Sequence, residues 1–182
     1  VDNLLALAGD PPDDGSELRG DFRYASELVE LARERGDFSV AVAAFPEGHP
    51  RSRTSEEDRG RLADKLTIAD FGITQFFFDS SSYADNVEDL SRRGCDTPVI
   101  PGIMPMLNPS TIRRFADMNG TTFPEALAAR VEDAHPDDRL AIAVESAVEL
   151  STRLLDEGAP GLHLYALNRS EAARAILAAV TV

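Results

Sequence analysis

Cysteine is nearly missing from this sequence. Cys95 stands alone among 182 residues, so no disulfide can form within the chain and no cysteine-rich zinc site can be assembled. A reducing compartment, and with it a cytoplasmic location, is the natural expectation. Positive charge is scarce as well. Lysine and arginine together number 18 against 32 aspartates and glutamates, for a formal net charge of -14, which argues against a general nucleic-acid binder. A local basic pocket within the acidic surface stays open. No run approaches the roughly 20 apolar residues that a bilayer-spanning helix needs, so no membrane association is expected. No G-x-G-x-x-G turn follows any candidate strand, which weakens the case for a dinucleotide-binding doubly wound sheet. No metal site is expected. Also missing are an initiator methionine, a signal peptide and a lead-in helix before the apolar run that opens at Leu4. The chain is therefore expected to begin partway through a larger protein.

What is present suffices for one globular domain: 43% of the residues are hydrophobic and 27% charged, enough to build a real core. The most informative stretch is 71–79, Phe-Gly-Ile-Thr-Gln-Phe-Phe-Phe-Asp. It is too short for a stable helix, and its aromatic and β-branched content reads as a strand buried on both faces. Alternation would set Gln75 on the same side as Ile73 and Phe77, an amide inside an apolar wall. Such an amide either satisfies neighbouring backbone or reads the polar edge of a flat ligand.

Around this stretch the chain alternates. Strands are expected at 4–7, 38–44, 72–78, 98–103 and 161–166, and helices at 24–35, from 54 or 55 onward, at 82–93, 110–118, 124–131, 137–157 and 170–180. Gly36, Gly94 and Gly158 serve as helix stops, and Ser55 with Asp58 fits a capping box. The Pro-, Asp- and Gly-rich segment 11–21 reads as a long loop. Five strand–helix alternations imply a parallel sheet, either an open doubly wound one or part of a (β/α)8 barrel. In a barrel the ligand end collects Asp10, the 45–49 loop, Gln75 with Asp79, Gly102 with Met104, and 167–169.

Six ordered motifs carry a resemblance: Leu-Ala-Leu-Ala-Gly-Asp at 5–10, Ala-Phe-Pro-Glu-Gly-His-Pro at 44–50, Ile-Thr-Gln-Phe-Phe-Phe-Asp at 73–79, Ile-Pro-Gly-Ile-Met-Pro at 100–105, Arg-Arg-Phe-Ala-Asp-Met at 113–118, and Leu-His-Leu-Tyr-Ala-Leu-Asn-Arg at 162–169. Together they resemble methylenetetrahydrofolate reductase. The resemblance implies an α/β fold, a (β/α)8 TIM barrel of which this chain supplies about the last five strand–helix units, so that 1–182 form one domain, the carboxyl-terminal portion of the barrel. It also implies reduction of methylene-tetrahydrofolate to methyl-tetrahydrofolate by NADH or NADPH through FAD, with a folate substrate as partner and a homo-oligomer left open.

By the same resemblance Asp10 is the catalytic carboxylate beside the flavin pyrimidine and the pterin. Gln75, Phe115, Leu167 and Arg169 bind substrate, and Tyr24, Ala25, His49, Asp58 and Lys65 bind the flavin. Lys65 is suited by charge to the pyrophosphate. Two positions depart from the family's pattern. Ala8 stands where flavin-dependent members usually carry Arg, and Phe45 where they often carry Tyr, so FAD is expected to be held weakly. The general acid that opens the folate's methylene bridge is expected upstream of Val1. A flavin-independent reductase of the same substrate and a non-catalytic folate-binding or regulatory remnant remain alternatives. His163, between Leu162 and Leu164, reads as a packed histidine, His135 as a surface-loop residue, and Cys95 as unactivated.

Overall fold

The computed structural model describes residues 1–7 and 20–180. Five strands, β1 (Asn3–Ala6), β2 (Ser39–Ala44), β3 (Phe71–Phe76), β4 (Val99–Ile103) and β5 (His163–Leu164), form one sheet in chain order, every pair parallel. Helices α1 (Ala25–Arg35), α2 (Ser55–Leu66) and α3 (Ser80–Arg92) fill the first three connections. Between β4 and β5 lie α4 (Pro109–Asn119), α5 (Glu125–Asp133) and α6 (Arg139–Asp156), and α7 (Ser170–Val180) follows β5. A doubly wound sheet reverses its strand order at a switch point, whereas a barrel adds each strand beside the last. The unbroken order β1 to β5 is the barrel pattern, and the structure is an α/β half-barrel.

Parallel register separates the two faces. Ala6, Val40, Val42, Val99 and Ile103 join Val29 of α1, Leu62 and Leu66 of α2, Leu90 of α3, Leu154 of α6 and Ile176 of α7 in one buried core. The opposite face pairs Leu5 with Ala41, Ala43 with Ile73, and Ile73 with Ile100. It is the more open side: Leu5 is 38% exposed, and Phe71, Ile73 and Ile100 are half-buried. The expectation that 71–79 is buried on both faces holds only in part: Phe71 and Ile73 on this face are half-buried, whereas Phe76 is 2% exposed. Along β3 half-buried and buried residues alternate.

Several boundaries differ from expectation for identifiable reasons. β3 ends at Phe76, because Asp79 caps α3 by accepting the Ser81 N–H at 3.0 Å and so draws the helix start back to Ser80. β5 shrinks to two residues, since the left-handed backbone at Leu167 (φ 46°) and Asn168 (φ 61°) turns the chain just beyond it. The cap of α2 is Thr54, whose hydroxyl accepts the Glu57 N–H at 3.1 Å. The expected Ser55–Asp58 box does not form, because Asp58 is committed elsewhere. On α3, Asn86 is fully buried and Val87 is 37% exposed.

The amino-terminal end of the sheet is stapled by charge. Arg33 of α1 donates to the Phe38 carbonyl at 2.7 Å, to the Ile68 carbonyl at 3.3 Å and to the Asp70 carboxylate at 2.8 Å. The same Asp70 oxygen accepts the Val40 N–H at 2.6 Å. That backbone donor, ahead of Arg33, holds the Asp70 carboxyl below the usual carboxylate range. A lowered pKa means that the stabilisation is fully present above the unfolded-state value, about 3.9, and is lost as pH falls through the folded value. Asp70→Asn should therefore cost on the order of 1 kcal/mol at pH 7, with the half-exposed ion pair contributing little of it. Urea melts between pH 7 and pH 2.5 check this: the gap between variant and parent closes below about pH 4.

Candidate active site at the carboxyl ends of the strands

The β2–α2 loop builds the first part of the site. Pro46, Gly48 and Pro50 keep it irregular, and Gly48 turns at φ 96°, a conformation that costs glycine no Cβ strain. Asp58, in the first turn of α2, holds the loop: its carboxylate accepts the His49 N–H at 3.1 Å and the Ser52 hydroxyl at 2.8 Å. His49 Nδ1 accepts the Arg51 N–H at 3.0 Å, so the neutral ring carries its proton on Nε2. Phe45 meets the imidazole edge-on at 4.4 Å between centroids. Burial, then the nearby Arg51 charge, lowers the His49 pKa against the pull of Asp58, which leaves the ring neutral at pH 7.

Lys65 shares a helical face with Asp58 and Leu62, at i+7 and i+3. Its ammonium is largely buried, donates to the Ala43 carbonyl at 3.0 Å and has its pKa lowered by that burial, with Asp58 opposing. It is also the only lysine in the sequence, every other basic residue among the 18 being arginine. That compositional signal was legible in the sequence and marks position 65 more sharply than its charge alone. Arginine's forked donor set would need several acceptors in a niche that supplies one carbonyl.

β3 builds the second part. Three residue steps from Ile73 to Phe76 face two steps from Ile100 to Gly102, so β3 carries one extra residue, a β-bulge. The bulge breaks the alternation expected for this strand. Phe76 pairs with Gly102 on the open face, whereas Phe77 turns into the helix-side core, so Gln75 and Phe77 do not share a side. Gln75 is half-buried, and its amide oxygen accepts the Phe76 N–H at 3.2 Å.

Fully buried Thr74 locks this geometry. Its hydroxyl accepts the Gly102 N–H at 2.7 Å, and its carbonyl accepts the Tyr165 hydroxyl at 3.0 Å. A methyl on Gly102 would overlap the Thr74 carbonyl oxygen and lie 2.7 Å from Tyr165. Tyr165, which sequence reasoning passed over, has its phenol pKa pushed up to about 12 by burial and packs against His163 and Phe76. His163 is a packed residue, as expected, with burial lowering its pKa.

The third part is a groove of about 200 Å³ between the β4 and β5 ends, lined by residues that include Met104, Asn108, Thr111, Tyr165, Leu167 and Arg169. Leu167 and Asn168 both adopt left-handed backbone, which costs non-glycine residues free energy and is concentrated at functional sites. Phe115 of α4 is half-buried against the Phe76, Met104 and Ile112 cluster, with the Arg114 guanidinium 5.5 Å from its ring. Tyr24 and Ala25 sit at the amino terminus of α1, where Tyr24 is 55% exposed. Asp10, together with Ala8, lies outside the described residues. Thus His49, Asp58 and Lys65 form one cluster, Gln75 abuts the 45–48 loop beside it, Leu167 and Arg169 share the groove, and Tyr24 and Ala25 stand apart from these. Among the described residues no group of three or more His, Cys, Asp or Glu side chains could hold a metal ion, and no helix is long and apolar enough to cross a membrane.

The sequence profile of the methylenetetrahydrofolate reductase family matches residues 1–181. This chain belongs to that family. It is 37% identical over 181 residues to the 5,10-methylenetetrahydrofolate reductase of Escherichia coli (strain K12), covering 97% of this chain and 60% of that one. To the enzyme of the same name from Pectobacterium carotovorum subsp. carotovorum it is 34% identical over 179 residues, covering 97% and 59%. The chain thus spans about 60% of the length of these bacterial relatives. A solved structure from Clostridium thermocellum, of a protein that binds two copies of 5-methyl-5,6,7,8-tetrahydrofolic acid, shares the fold with a TM-score of 0.56 at 17% identity, covering 85% of this chain and 57% of that one. Within the methylenetetrahydrofolate reductase family, then, this chain's own geometry carries the argument about its site.

The bulge lock should be measurable in this member. Tyr165→Phe removes one buried hydrogen bond and leaves the Thr74 carbonyl short of a donor, a cost of about 1–2 kcal/mol. Gly102→Ala forces a methyl into the same space, and overpacking of this kind costs about 1–3 kcal/mol or more. Chemical denaturation of both variants tests the ranking, with Gly102→Ala the more destabilised.

Proposed function

We propose that this chain forms the cofactor and substrate mouth of a reductase that converts methylene-tetrahydrofolate to methyl-tetrahydrofolate with a nicotinamide dinucleotide, NADH or NADPH, as co-substrate and FAD as the bound cofactor. In this reading the chain is the carboxyl-terminal portion of a (β/α)8 barrel. The observation that carries it is the convergence, at the carboxyl ends of consecutive parallel strands, of a half-buried His49–Asp58–Lys65 cluster, Gln75 at the bulge and the Leu167–Arg169 groove. In barrels of this kind the ligand end is the carboxyl end. Membership of the family supports the same assignment.

The residues present fit a dinucleotide. Lys65 is a half-buried ammonium with a single carbonyl acceptor, which leaves donors for an anionic group. His49, with Nδ1 occupied, offers Nε2–H to an acceptor outside the loop. These two, with Tyr24 and Ala25 at the start of α1, are assigned to the flavin, and Asp58 orders the loop for them. FAD, when bound, supplies the hydride storage that separates nicotinamide oxidation from folate reduction.

Gln75 is assigned to the polar edge of the pterin, Phe115 to stacking on the folate or nicotinamide, and Leu167 and Arg169 to the substrate groove. Asp10 is assigned the carboxylate that disfavours negative charge on the reduced pyrimidine. The remaining contribution of the chain is orientation and exclusion of water, which is what a fixed bulge and a packed loop provide.

In the full-length protein Gln75→Leu should weaken folate binding by about 5–150-fold, the equivalent of roughly 1–3 kcal/mol for a ligand hydrogen-bonding group left unpaired. Reduction of the flavin by NADH or NADPH should keep its rate. Stopped-flow measurement of the two half-reactions decides it, and an unchanged folate affinity would count against the assignment. Absorbance of the purified protein near the flavin bands tests the cofactor directly.

A further inference from the structure

The β2–α2 loop is held from two directions. Most of its hydrogen bonds stay within its own unit, among them the His49 N–H and the Ser52 hydroxyl to Asp58, the Arg51 N–H to His49 Nδ1, and the Ser52 N–H to the His49 carbonyl at 2.9 Å. Another crosses the mouth, where the half-buried Glu47 carboxylate accepts the Thr122 N–H at 2.9 Å, 75 residues further along the chain. Thr122 lies in the α4–α5 connection, which begins with Gly120 in left-handed conformation (φ 69°). A methyl placed on Gly120 would sit 3.7 Å from the Gly48 carbonyl oxygen and 3.8 Å from Pro50, so the two loops lie side by side about a methyl group apart.

The receiving loop is itself anchored. Thr121 donates its hydroxyl to the Phe76 carbonyl at 3.2 Å, one residue past Gln75. Arg113, from the helix that carries Phe115, holds both oxygens of Glu125 and covers the Phe123 ring at 4.0 Å. Phe45, Glu47, Gly48, Gln75, Phe76 and Thr121 close one narrow crevice among them.

We infer that Glu47 is a positioning residue that couples the two sides of the mouth: its hydrogen bond to Thr122 makes the loop bearing His49 and the segment bearing Gln75 and Phe115 order each other. An occupant on either side then favours the arrangement that receives an occupant on the other. Energetic coupling of this kind is reciprocal and needs only two segments whose order depends on a shared contact. The mutual ordering stands on the geometry alone, whereas its use in catalysis rests on the functional reading above.

Amide hydrogen exchange on the full-length protein tests both parts. Without ligand, Glu47→Ala should speed exchange at His49 and Ser52 by about 3–10-fold, the shift expected when about one net hydrogen bond is lost from a local opening reaction. The bonds of those two amides are untouched by the substitution, so faster exchange confined to Thr122 would overturn the proposal. Glu47→Gln keeps the acceptor and should restore the parent pattern; if it behaves like Glu47→Ala, the hydrogen bond is not the cause. With saturating 5-methyltetrahydrofolate as probe, protection in the parent should extend to residues 49–58, and in Glu47→Ala it should stop at the β3 end and α4. Equal spread in both proteins would overturn the coupling. No protection anywhere in the parent would instead overturn the folate reading, with the ligand-free comparison still deciding the ordering.

Discussion

One extra residue in β3 sets the geometry on which the rest of the mouth depends. In a regular parallel strand Gln75 and Phe76 would point to opposite faces, and the Thr74 hydroxyl would be a buried polar group needing a partner. The bulge turns that need into a lock, since the Thr74 side chain takes the Gly102 amide and its carbonyl takes the Tyr165 phenol. Three strands are thereby fixed to one another at the level where the ligand end begins. Gly102 is obligatory there because the neighbouring carbonyl leaves no room for a Cβ.

Polar groups are distributed by end. At the amino-terminal edge of the sheet Arg33 and Asp70 tie α1, β2 and the turn before β3 together. At the carboxyl edge Asp58, His49 and Glu47 spend their hydrogen bonds on shaping a loop and Lys65 bonds the Ala43 carbonyl of β2, which leaves Nε2–H and ammonium donors uncommitted. The first arrangement maximises satisfied contacts, as stability requires. The second leaves some unsatisfied, as binding requires.

Much of this was legible beforehand. Strand–helix alternation and the ordered motifs gave the barrel class and nearly every element, because parallel strands and amphipathic helices write their periods directly into the sequence. What could not be read was decided by contacts between distant residues. Phe77 was assigned to the face of Gln75 because alternation assumes a regular strand, and the bulge depends on Gly102 and Tyr165, at least 25 residues away by chain. Asp58 looked like a capping partner of Ser55, yet its carboxylate is taken by the loop that folds back over the helix. Glu47 offered no local pattern at all, since its partner Thr122 is a backbone amide 75 positions on. Lys65 is assigned by the resemblance, with charge as its only support from the residue itself, whereas its partial burial and its uniqueness in the composition are what make it informative.

That uniqueness has a practical side. Amine-selective reagents acylate unprotonated lysine, and a lowered pKa raises the fraction of Lys65 in that form, while its partial burial and its bond to the Ala43 carbonyl restrict access. Within these 182 residues, covalent labelling of a lysine side chain therefore reports one event at one position. Its rate reports how accessible that one ammonium is, and an occupant that engages it slows the reaction.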